Sequence, residues 1–205
     1  MLDRPYPPSF TGLLLHREPR LGYSFFVPDG WHRQDVEGAV GLESPTVMYV
    51  PSLDDSLTGF SVEGRDLGLE VTSDDFPSLQ AGFLSGLRKM PRSRLESHEG
   101  ESIGPLITLE ARHTFRDGSV TRKRWVRLLY QRSIQVRLIA QGSTVEEFDY
   151  WLPMFFESMR TFRFGDWGID VGVPADDWLV KTEEPAVSGE GSAEIREEGT
   201  DTLET

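Results

Sequence analysis

The chain of 205 residues contains no cysteine and no asparagine. Without thiols there are no disulfides, thiolate zinc sites, iron–sulfur clusters or cysteine nucleophiles to consider. Lysine is scarce as well, with Lys89, Lys123 and Lys181 the only three among 21 basic residues. The loss of Asn and Cys fits adaptation to heat, and coding bias in a GC-rich genome gives the same pattern. No stretch approaches the run of about eighteen apolar residues that a transmembrane helix needs, so no membrane insertion is expected. The opening Met1-Leu2-Asp3-Arg4-Pro5-Tyr6-Pro7-Pro8 lacks a basic stretch followed by an apolar one. No secretory signal is read there, and a cytoplasmic location is expected.

Catalytic signatures are missing too. There is no Gly-x-Ser-x-Gly elbow and no Gly-x-x-x-x-Gly-Lys phosphate loop. Gly189-Glu190-Gly191 has no strand before it and reads as linker composition. His16, His32, His98 and His113 stand far apart, none with another His at helical spacing, so no metal site is indicated. Asp54/Asp55 and Asp74/Asp75 are carboxylate pairs, but loop composition explains the first and helix capping the second. No catalytic residue, cofactor or metal is nominated, and a non-enzymatic protein is expected.

What the chain does have is acid. The net charge is −13, and residues 176–205 alone hold ten acidic side chains against Lys181 and Arg196. Eight of the thirteen excess negative charges therefore belong to the last thirty residues. A chain this acidic is a poor binder of nucleic acid, which requires phosphate neutralisation.

The apolar residues concentrate between about residue 20 and residue 165, room for one well-filled domain. Residues 1–20, rich in Pro and Arg, form an N-terminal arm, with Leu13-Leu14-Leu15 either lying across the domain or adding an edge strand. A β-rich run from Leu21 ends in the turn Pro28-Asp29-Gly30, after which Trp31 should fold back on the core. Strands are expected around Val40–Val50 and around Gly59–Asp66. A helix follows, capped by Ser73, Asp74 or Asp75, with Pro77 in its first turn and Phe76, Leu79, Phe83, Leu84, Leu87 and Met90 at helical spacing. Gly82 and Gly86 share a face of it and would allow a close approach to a sheet.

Residues 103–141 read as a β-meander: Leu106–Phe115, a hairpin at Asp117-Gly118, Val120–Tyr130, then Ile134–Gln141. A second helix is expected over Val145–Met159. Thr144 and Glu147 cap it, Phe148, Trp151, Leu152, Phe155 and Met159 line one face, and Pro153 implies a bend or a shifted start. Thr161-Phe162-Arg163-Phe164 closes the domain, residues 166–181 read as a docking segment, and residues 182–205 as a disordered acidic tail.

Two features carry functional hypotheses. The meander concentrates Arg112, Arg116, Arg122, Lys123, Arg124, Arg127, Arg132 and Arg137. Alternation places Arg122 and Arg124 on one face and Lys123 and Arg127 on the other. Cross-strand pairing with Glu110 accounts for such charges, and so does a surface for an anion or acidic partner, for which Arg122, Arg124 and Arg127 are the candidates. The second feature is Trp167 and Trp178, large aromatics in a polar acidic segment. They suggest docking, onto this domain or onto a partner. Together these give a hypothesis in which the tail covers the basic meander until a partner displaces it.

The run Gly22-Tyr23-Ser24-Phe25-Phe26-Val27-Pro28-Asp29-Gly30-Trp31 resembles the opening aromatic-x-φ-x-Pro-x-Gly-Trp signature of the PsbP-like superfamily. Met159-Arg160-Thr161-Phe162-Arg163-Phe164 is similar to its closing helix and strand. The resemblance spans roughly residues 21–164 and takes in Ran-binding Mog-type factors, DcrB-type proteins and type VI effector chaperones. It implies an α+β fold, an antiparallel sheet flanked by helices as an α/β/α sandwich. It also implies binding, through a protein partner as an assembly factor or chaperone-like adaptor. The alternative is a small ligand or lipid held in a cleft between sheet and helices.

Overall fold

A computed structural model describes residues 8–36 and 46–165. The chain opens with a hairpin. β1 (Leu13–Glu18) and β2 (Tyr23–Pro28) run antiparallel, Leu13 opposite Pro28 and Glu18 opposite Tyr23. Leu13-Leu14-Leu15 thus begins an added edge strand. The last strand, β10 (Arg163–Phe164), pairs with the other side of β2, giving a three-stranded sheet in the order β1-β2-β10.

The Pro28-Asp29-Gly30-Trp31 turn closes with the Trp31 N–H donating to the Pro28 carbonyl at 3.1 Å. It hands the chain to a second, seven-stranded sheet. There β3 (His32–Val36), β4 (Thr46–Val50), β5 (Gly59–Asp66), β6 (Arg94–Ile103), β7 (Leu106–Asp117), β8 (Val120–Gln131) and β9 (Ile134–Gln141) lie in the order β3-β4-β5-β9-β8-β7-β6. Every neighbouring pair is antiparallel.

The two faces of the large sheet are covered differently. One receives the small sheet and helix α2 (Val145–Thr161), whose Phe148, Phe155 and Met159 interlock with Phe25, Phe60, Trp125 and Leu138. Each of these seven is essentially withdrawn from water, a gain of about 2–3 kcal/mol per side chain. Trp31 folds back as expected, meeting Trp151 and Phe155 edge-on at 5.7 Å. The opposite face receives helix α1 (Phe76–Arg88), whose Phe76, Leu79 and Phe83 pack on Ile107, Leu109, Leu128 and Tyr130. Helices on both faces of an antiparallel sheet make the α+β sandwich that the resemblance implied.

Caps and turns explain the element ends. Thr144 Oγ1 accepts from the Glu147 N–H at 3.2 Å, and α2 starts at Val145 in spite of Pro153. Asp75 turns its carboxylate back to the Thr72 N–H at 2.9 Å, so it holds the turn before α1 rather than capping the helix directly. Two strands lie outside the sequence expectation. β3 reads His-Arg-Gln-Asp-Val, and β6 is exposed along nearly its whole length. The meander therefore begins at Arg94, not at residue 103.

Candidate functional site

Alternation on β8 decides where the basic residues go. Arg122, Arg124, Val126, Leu128 and Tyr130 point to the α1 face, while Lys123, Trp125, Arg127 and Leu129 point to the α2 face. Arg127 is accordingly removed from the candidate surface formed by Arg122 and Arg124. Its guanidinium pairs with Glu110 at 2.6 Å and donates to the Met159 carbonyl at 2.9 Å, fastening the end of α2. Arg122 is on the proposed face but is neutralised by Asp117 at 2.9 Å. Trp167, Trp178, the docking segment and the acidic tail all lie outside the described residues.

Arg124 is the nominated residue that opens onto a site. α1 covers only part of its face, leaving a groove of ≈ 450 Å³ between the helix and strands β5, β9 and β8. The apolar floor is Val126, Leu128 and Ile139, and the wall is Phe83 and Leu87 of α1 with Met90 just past its end. Cations stand at both ends. Arg124 donates through Nε to Gln141 Oε1 at 2.9 Å and lies 4.6 Å over the Phe115 ring. Burial, then the charges of Arg137 and Arg122, bring its guanidinium down to about 10, which leaves it charged at neutral pH. At the other end Arg65 donates to Gln135, whose amide in turn donates to the Tyr130 hydroxyl at 2.7 Å. Between them Arg137 is ion-paired to Glu63.

The helix wall contains Gly82 and Gly86, and here the sequence expectation is corrected. They do not bring α1 close to the sheet: a Cβ built on either meets nothing within 4 Å. At Gly64, by contrast, a Cβ would sit 2.6 Å from Leu21 and 2.8 Å from Tyr23. Gly82 and Gly86 instead line empty space. A second hollow of ≈ 450 Å³ lies at the Gly22 and Arg132 turns, but it borders Gly165, where the described chain ends.

The groove lining carries no histidine, hydroxyl nucleophile or aspartate. Among the described residues no three His, Asp or Glu side chains are grouped to hold a metal. Also among them, no helix is long and apolar enough to cross a membrane. The arrangement can therefore hold an anion with apolar parts. Arg65 escaped the sequence reading, which also gave Gly82 and Gly86 a packing role, because β5 and β8 come to either side of β9 only in the folded chain. The available signal was a pair of glycines inside a helix with no packing need for them.

Comparison with known proteins bears on the fold. No protein-family model matches the chain, and no curated protein does. Solved structures do. The chain is similar to the cyanobacterial PsbP, CyanoP, of Synechocystis sp. PCC 6803, with a TM-score of 0.53 at 15% identity, covering 80% of this chain and 98% of that one. It is similar to LpqN of Mycobacterium tuberculosis, with a TM-score of 0.50 at 8% identity over 70% of this chain and 83% of that one. The Ran-binding protein Mog1p of Saccharomyces cerevisiae gives 0.47 at 13% identity, over 76% and 96%. The α+β sandwich is thus a PsbP-like fold, as the sequence signature implied.

Proposed function

We propose that this chain is a non-enzymatic protein-interaction module, of assembly-factor or chaperone-adaptor type, and that the groove beside α1 takes its partner. One observation carries the reading. Gly82 and Gly86 sit inside a helix, each about 1 kcal/mol less favourable there than alanine, although alanine would clash with nothing. A stability cost that neither packing nor backbone conformation requires, located on the wall of a cationic groove, fits a surface kept clear for something else. A second reading, a small ligand in the same cleft, is favoured by the volume of ≈ 450 Å³, which falls within the usual ligand-pocket range.

The test is affinity capture from the native cell with the wild-type chain beside a Gly82→Leu/Gly86→Leu variant. A partner retained by the first and lost by the second, with both folded, supports the module. The same set of captured proteins on both would sink it. A small molecule that co-purifies only with the wild type would establish the second reading.

A further inference from the structure

The lattice of the sheet measures the groove. Along β9 the side chains facing α1 are Gln135, Arg137, Ile139 and Gln141, and across the ladders Arg65 stands beside Gln135 and Arg124 beside Gln141. The two end arginines are therefore six residues apart along the strand direction, about 20 Å at the usual rise per residue. Neither is ion-paired to a carboxylate among the described residues. Arg137, in the row between, is matched by Glu63. The order along the groove is cation, neutral pair over Leu128, apolar row of Ile139 and Val126, cation.

A phosphate or a small dicarboxylate is too short to reach both ends, and a fatty acid has one charged head. Building on the groove as the partner-binding face, we propose that its ligand is an extended acidic peptide segment, with carboxylates six residues apart flanking two apolar side chains. Such a segment sets one carboxylate on the Arg65 guanidinium, the other on Arg124, and its apolar pair against Phe83, Leu87 and the space at Gly82 and Gly86. Each arginine has N–H donors left after its hydrogen bond to glutamine, since a guanidinium carries five. Charge complementarity singles this surface out, because it is a cationic strip on a chain of net charge −13.

An NMR titration of the full chain tests this with a seven-residue peptide bearing Glu at its first and seventh positions, Leu at its third and fifth, and Ser between. The expected result is saturable shifts confined to α1, β5, β8 and β9. Affinity should fall about tenfold in Arg65→Gln, as for loss of one charge-assisted hydrogen bond. Arg65 is exposed, so this variant keeps the fold, and a thermal melt checks it. A peptide of the same composition with its two Glu adjacent should bind at least about tenfold more weakly. Equal binding of the two peptides, or an unchanged affinity in Arg65→Gln, overturns the proposal. Laurate binding that Gly86→Leu abolishes and Arg65→Gln spares also overturns it, yet leaves the groove as a binding face. Shifts from both probes lying elsewhere would overturn the groove reading itself.

Discussion

His113 is fully buried on β7, and neither ring nitrogen has a hydrogen-bond partner. Burial, with the Arg124 charge beside it, brings its pKa from 6.5 down to about 4. Between those values the unfolded chain binds a proton that the folded chain does not. Stability is therefore full above pH 6.5 and falls as pH drops towards 4, by about 3 kcal/mol from this residue alone. His113→Leu should flatten that limb. It also removes two buried unpartnered nitrogens, adding about 1 kcal/mol at pH 7. Urea unfolding of both chains from pH 4 to 7 reads the difference, and parallel curves would show that His113 is not the group responsible. Arg127 illustrates the opposite situation at the same scale. Every strong contact it makes, to Glu110 and to the Met159 carbonyl, is internal, so its charge belongs to the packing of α2.

Helix α1 is where stability and site compete. Its residues Gly82 and Gly86 are exposed and unobstructed, so the double change to alanine should stabilise the protein by about 2 kcal/mol through helix propensity. Chemical denaturation measures this, and a loss of stability would mean that the glycines serve packing after all. Elements like α1, α2, β5 and β9 were legible because apolar residues recur along one face at the period of the element. The bounds of β9 match the expectation to the residue, and β5 falls where a strand was expected. β6 was not legible for a physical reason. Arg-Leu-Glu-Ser-His-Glu-Gly-Glu-Ser-Ile lies at the sheet edge with nearly every side chain exposed, held extended by β7 and approached by α1 at Gly100, beside Phe76 and Gln80. Periodicity reports burial, and an edge strand without a buried face has none to report. The same limit applied to the groove. Arg124 and its alternation with Arg127 could be read from β8, whereas the register that sets Arg65 beside Gln135 could not.

For the whole molecule the decisive quantity is the sign of the field around the groove. A cationic strip on a chain of net charge −13 attracts an acidic peptide at short range while the rest of the molecule repels it at long range. Residues 182–205 contribute eight acidic side chains against Arg196, about half of that net charge. Deleting them should therefore raise the affinity of the seven-residue acidic peptide several-fold near 10 mM salt, where charges act over about 30 Å. The gain should vanish near 1 M salt, where that reach shrinks to about 3 Å. Arg65→Gln must remain weaker than its parent in both the full and the shortened chain, because its contact is local. If deletion leaves low-salt affinity unchanged, the long-range repulsion is not what limits the site. If deletion raises affinity equally at both salt concentrations, the segment acts on the groove by some means other than its charge.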